Sequence, residues 1–355
     1  MPIPRWGCPR PSLHLTLQQY KDFITKADAL ISKLLVSQNY DSISNFITLY
    51  NSYINSKENS LKEYFPKYNP PIQPYKHTCV GLAIEVMNVL KLLDDDFPGI
   101  KQSIMLVSCE ENVQSLQDYM AMHSGPQGFL VETEKDHVMV ACHLELDGRP
   151  GLFISDLGYH IAGIVTVMRD NGYPHTGWFT QVQKPQCMKE YNYVFNHQNP
   201  NYIEWHEREM KSDKIKIRLS LVYVEKAFRS SIEVTEKRNL VWHVKSLVAR
   251  DSKGNLMAGI YFVSKRKETK LTVSYVGPDN VKLRKKLNLE DFLDLSKIPR
   301  DIIQDVELCN EQLHMEDGTL TTLLHELAVV MNNCSFVSEM HDLNDMMKNL
   351  TIKMK

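Results

Sequence analysis

An excess of charge of either sign is missing from the chain: 41 Lys and Arg stand against 43 Asp and Glu, a formal net charge of −2. With no excess there is no general attraction to a nucleic-acid backbone or an anionic bilayer, and neither is expected as a partner. Long apolar runs are missing too. The longest mostly apolar stretch, 79–93, is interrupted by Glu85, Asn88 and Lys91, and it falls short of the roughly 20 residues that span a membrane. The start, Met1-Pro2-Ile3-Pro4-Arg5-Trp6, has no apolar segment of the secretory kind, which predicts no export signal. Gly-rich phosphate loops are absent, in both the G-x-x-x-x-G-K and the G-x-G-x-x-G form, so nothing points to nucleotide hydrolysis or dinucleotide binding. The seven cysteines (8, 79, 109, 142, 187, 309, 334) form no C-x-x-C pair and are odd in number. Together with the lack of an export signal, they predict free thiols rather than a disulfide framework, and the sequons at Asn333 and Asn349 carry little weight. The chain reads as a soluble cytoplasmic protein.

What is present is enough apolar residue, 43% of 355, for an ordinary core, and the length suits two domains or one large one with appendages. Leu17, Tyr20, Ile24, Ala27, Leu30 and Leu34 recur at helical spacing, and residues 13–65 read as helical. A stretch rich in Pro and Tyr (65–75) follows. A helix is expected over 78–93, a buried strand over 100–108 and a short polar helix over 110–123. Strands 137–146 and 151–157 flank Asp147-Gly148, a dipeptide favoured in tight hairpins. Residues 158–200 read as long loops, 215–224, 240–250, 256–264 and 270–276 as strands, and the tail from about 289 as helical. Runs of each type, rather than strict alternation, argue for an α+β fold: an N-terminal helical bundle, an antiparallel sheet or barrel, and C-terminal helices. The corresponding parts are 1–135, which carries the helix 78–93, then 136–285 and 286–355.

Chemistry points first to Cys79. Thr78 is a plausible N-cap, which sets Cys79 in the first turn of its helix, where free N–H groups and the positive dipole end favour a thiolate. A nucleophilic Cys also needs a base. A two-residue hairpin loop would put Asp156 opposite Met139 and on the face of His137, so the two would be diagonal neighbours within reach of a hydrogen bond. A five-residue loop, for which Pro150 leaves room, would put them on opposite faces. Thiol, imidazole and orienting carboxylate in the order Cys79, His137, Asp156 form a triad in its cysteine form, with His137 as base and Asp156 as its orienter.

Asp147-Gly148-Arg149, followed by Leu152-Phe153-Ile154-Ser155-Asp156-Leu157-Gly158-Tyr159, resembles the arylamine N-acetyltransferases, within the transglutaminase-like cysteine enzymes. The resemblance covers about 75–160 and extends loosely to the helical start and to the strands after 214. It implies a helical start, a barrel-like second domain, and acyl transfer from coenzyme A thioester, as co-substrate, to a small-molecule amine through an acyl-cysteine. The chain departs from the pattern before and after the Cys: Tyr75-Lys76-His77-Thr78 stand where Arg-Gly-Gly is usual, and Gly81 and Ala83 where Glu or Gln and Asn are usual. Those departures keep two alternatives in view, a transglutaminase-like amidase or cysteine protease, and an inactive binding protein on the same fold.

Gln73, six residues before Cys79, has the separation of a protease oxyanion glutamine. Tyr159, His160, Tyr173 and Trp178 could line a substrate pocket. His137, Cys142 and His143 include metal-ligand types, but Cys142 and His143 are neighbours in a strand and point to opposite faces, so a structural role and no metal are expected. Lys265-Arg266-Lys267 and Arg284-Lys285-Lys286 could meet phosphates, but read first as a turn and a solvated helix start. The Met-rich tail (Met331, Met340, Met346, Met347, Met354) reads as soft packing or as a surface for a second copy of the chain.

Overall fold

A computed structural model describes residues 3–123, 135–184, 187–211, 214–265 and 270–352. Its architecture mixes helices with largely antiparallel sheet. Strand β1 (Leu13–Leu15) leads into α1 (Leu17–Ser37), which opens on a reciprocal cap: the Gln19 N–H donates to Thr16 Oγ1 and the Thr16 N–H to Gln19 Oε1. Its stripe Tyr20, Phe23, Ala27, Ile31 and Leu34 is buried. Strand β2 (Tyr40–Asp41) and helices α2 (Ile43–Ile54), α3 (Leu61–Tyr64) and α4 (Cys79–Lys91) follow, with the short helices α5 (Ile100–Ser103) and α6 (Leu116–His123) beyond them.

Two sheets organise the rest. The larger has nine strands: β3 (Ile104–Glu110), β4 (His137–Leu146), β5 (Arg149–Ser155), β6 (Val165–Met168), β7 (Phe179–Lys184), β8 (Cys187–Phe195), β9 (Tyr202–Lys211) and β10 (Lys214–Tyr223), in the order β6-β5-β4-β3-β10-β9-β8-β7, with β1 parallel to β4. It curls into a half-barrel. One face packs Val138, Val140, Cys142 and Leu144 on α1 and α4. The other face holds Met139, Ile154, Tyr191, Tyr193 and Trp205.

The smaller sheet runs β14-β13-β12-β11-β2, from β11 (Val244–Arg250), β12 (Leu256–Val263), β13 (Lys270–Val276) and β14 (Lys282–Asn288). Leu247, Ala249, Ile260, Leu271, Val273 and Tyr275 pack on α2 and on the terminal helices α8 (Arg300–Gln312), α9 (Thr319–Asn332) and α10 (Cys334–Ile352). Because strand side chains alternate, Ser246, Val248, Arg250, Thr272 and Ser274 face the other way, into a cleft. Met340 and Met347 lie in the terminal core, while Met346 is exposed. Among the described residues no helix is long and apolar enough to cross a membrane, and all seven cysteines are free.

Three expectations are corrected. Residues 158–200 are not long loops but hold β6, β7 and β8. The pairing of β8 with β9 buries alternate tyrosines, 191 and 193, in a segment otherwise rich in polar residues. The 240–250 segment begins as the short helix α7 (Lys237–Val241), and its strand starts only at Val244. Arg284-Lys285-Lys286 belongs to strand β14, where charge protects an exposed sheet edge. Arg266 and Lys267 lie outside the described residues.

Candidate functional site

The hairpin settles the register left open above. Asp147 and Gly148 both take left-handed φ, 49° and 80°, as a two-residue primed turn requires, and Leu146 pairs with Arg149. Val140 then pairs with Ser155, so Asp156, one residue past the strand, reaches the His137 face. His137 Nε2 and Asp156 Oδ2 are 2.9 Å apart, both side chains buried. Asp156 is itself fixed, since its Oδ1 accepts from the Tyr159 N–H at 3.1 Å. With Nε2 engaged, Nδ1 is the ring nitrogen left for the sulfur. Cys79 opens α4. A Cβ built on Gly158 would lie 2.7 Å from His137 Cε1, 2.9 Å from Cys79 Cβ and 3.2 Å from Asp156 Oδ1, so the three side chains converge around that glycine.

Burial by itself would push the His137 imidazole down. The charges of Asp156 and Cys79, and hydrogen bonds to both, outweigh it and hold the imidazole well above the ordinary histidine value. Tyr159 stands edge-on to the His137 ring, centroids 4.9 Å apart, and its hydroxyl donates to Glu111 at 2.5 Å.

Thr78 does not cap the helix through its side chain as expected. Its hydroxyl donates instead to Glu236, in a one-turn π-helical segment, Ser231–Glu236, that precedes α7. That segment and α7 together tie the site. The Thr235 hydroxyl donates to the Lys135 carbonyl at 2.9 Å, Arg238 pairs with Asp136 at 2.8 Å, and Asn239 Nδ2 lies 3.3 Å from Cys79 Sγ. Asn239 was not singled out in the sequence; no spacing or motif marks it, and tertiary folding alone delivers it.

Glu236 is fully buried, and desolvation raises its carboxyl to about 7 despite the Thr78 hydrogen bond. A carboxyl whose folded value exceeds its unfolded one stabilises the fold fully below about pH 4.5, and that stability is lost as the pH rises through 7. We expect Glu236→Gln, which keeps an acceptor for Thr78, to be nearly neutral at pH 4. At pH 8 it should gain up to about 3 kcal/mol in urea unfolding.

Gly81 is the third residue of α4, where alanine still suits a helix better than glycine. Here its Cβ would fall 2.3 Å from His77 Nδ1, in a ring that is itself buried. Gly81→Ala should therefore lower rather than raise the thermal midpoint.

Cys79 and His137 open onto a cleft of about 710 Å³ between the two sheets. Its aromatic walls are Tyr40, Tyr159, Tyr191, Trp242 and Tyr261. Of the other candidates, Tyr159 and His160 line the cleft and three do not. Gln73 forms a local backbone bridge with Lys76. Tyr173 is 63% exposed, beside the Arg149–Asp170 pair that holds its carbonyl. Trp178 is 45% exposed and stacks under Arg208, 4.5 Å away. Gln73 is held by its local backbone bridge, Tyr173 by the Arg149 guanidinium on its carbonyl, and Trp178 by Arg208 from β9. His143 bonds the Val224 carbonyl at 2.8 Å, and among the described residues no cluster could hold a metal ion.

No family model matches the chain, and no curated protein matches it.

Proposed function

We propose that the chain is a thiol acyltransferase similar in mechanism and arrangement to the arylamine N-acetyltransferases, with an acyl-coenzyme A thioester as donor and a small-molecule amine as acceptor. The observation that carries the reading is the convergence of Cys79, His137 and Asp156 around Gly158, at the start of a helix and at the wall of a cleft. His137 takes the Cys79 proton, and Asp156 holds the ring with Nδ1 toward sulfur. The thiolate attacks the thioester carbonyl, the donor C–S bond breaks, and the leaving thiol takes the proton from His137. The amine then attacks the acyl-cysteine, gives its proton to His137 and expels the Cys79 thiolate.

Asn239 Nδ2, beside the sulfur, and the Cys79 N–H, free of an intrahelical acceptor in the first turn, are placed to donate to the oxyanion. Aromatic walls suit a flat amine. A nucleophile only 4% exposed limits water's access to the acyl-enzyme and so favours transfer over hydrolysis.

Incubation with a panel of short acyl-CoA thioesters, followed by intact-mass measurement, tests the reading. One acyl group on Cys79, released by an aromatic amine, is expected. No adduct from any thioester, together with turnover of peptide amides, would replace acyl transfer by the amidase reading. Asn239→Ala should reduce kcat by about 10²–10³, read from steady-state rates.

A further inference from the structure

Most charges near the cleft are matched. Lys189 pairs with Glu207 at 3.0 Å and Arg238 with Asp136 at 2.8 Å. The Glu111 carboxylate accepts from Tyr159. Three cations that line the same cleft are different: Lys184 at the end of β7, Arg250 at the end of β11, and Arg284 in β14. Among the described residues none of the three has a carboxylate within ion-pair distance. Arg250 donates from Nη1 to the Gly254 carbonyl at 3.3 Å, while its Nε is buried without an acceptor. Asp251, the nearest acid in the chain, is engaged in its own turn by the N–H groups of Lys253 and Asn255.

Arg284 and Arg250 both act on Lys184. Burial, then Arg284 and Arg250, hold the Lys184 amine below its usual value. Burial takes the Arg250 guanidinium down to about 10, with Asp251 and Tyr191 offsetting part of the fall. Lys184 and Arg284 are exposed and Arg250 is half-buried with its Nε buried, so Arg250 gains most from an anion that joins the three. Charge-assisted bonds from two guanidinium forks and an ammonium suit a group with several oxyanion atoms. The three cations line the same cleft as Cys79 and His137.

We infer that Lys184, Arg250 and Arg284 form an anion subsite that takes a multiply charged oxyanion, phosphate or dicarboxylate, on the substrate whose reactive end reaches Cys79. The placement of that reactive end rests on the acyl-transfer reading; anion binding itself does not.

Calorimetric titration with inorganic pyrophosphate and, separately, with succinate tests the subsite. Wild type should bind one of them at a single site, less tightly as salt rises, and the tighter probe identifies the group. Arg250→Met should weaken binding by about tenfold or more. Arg284 lies on an edge strand, so Arg284→Met and Lys184→Met keep the test valid if Arg250→Met fails to fold. A second readout compares alkylation of Cys79 by anionic iodoacetate and neutral iodoacetamide. The ratio should fall in each variant, and pyrophosphate or succinate should protect wild type. No binding of either probe at millimolar concentration, or variants that bind as wild type does, overturns the subsite even if Cys79 alkylates rapidly. Slow alkylation by both reagents with intact anion binding would instead count against the acyl-transfer reading alone.

Discussion

His137→Ala should slow acylation of Cys79 by about 10²–10⁴, the usual contribution of a positioned base, while Cys79→Ser should abolish the adduct. The ring is anchored by Asp156 at 2.9 Å and lies against the thiol at the mouth of the cleft. Removing it leaves the sulfur beside Asn239 without a proton acceptor. His137 and Asp156 are both buried and paired, so truncating either also leaves a polar partner unsatisfied. The loss of rate must therefore be read on protein shown by its unfolding transition to be folded. Asp156→Asn, which preserves shape, separates the two effects: the fold should survive while the ring loses its fixed orientation and much of the rate goes with it.

The second large effect is expected at Gly158. Its φ is not among the left-handed ones, so alanine meets no backbone penalty there. The whole effect comes from one methyl group aimed between His137 Cε1 and Cys79 Cβ at 2.7 and 2.9 Å. These are buried side chains rather than flexible surface tips. Relief by shifting the ring about 1 Å would cost about 10² in rate, and the overpacking about 1–3 kcal/mol in stability. A Gly158→Ala protein that keeps full acylation rate would show that the imidazole does not need its observed position.

The site was legible in part from the sequence. Asp147-Gly148 favours a two-residue primed turn, and that turn, once formed, fixes the register that carries Asp156 to the face of His137, while Pro150 leaves the longer loop open in the sequence. The start of α4 was readable from Thr78, although its hydroxyl serves Glu236 instead of the helix. Nothing local announces Asn239, Glu236 or Arg238, because their roles arise from a short π-helical turn and α7 meeting α4 and β4 across more than a hundred residues. Tyr173 and Trp178 show the opposite limit: aromatics in a Gly- and Pro-rich segment resemble pocket linings, yet here Arg149 holds the Tyr173 carbonyl and Arg208 covers the Trp178 ring outside the cleft. Arg284 resembled a solvated helix start because an edge strand carries the same charge pattern as an exposed helical turn.

Competitive labelling of all the free thiols with limiting iodoacetamide near neutral pH, mapped by peptide mass, tests the central claim most directly. Cys8 and Cys334 are exposed, whereas Cys79 is buried at the cleft wall, so accessibility alone ranks it behind both. A thiol activated by His137 and Asp156 should instead be labelled first, and should lose that priority in His137→Ala. Labelling of Cys8 and Cys334 ahead of an inert Cys79 would contradict it.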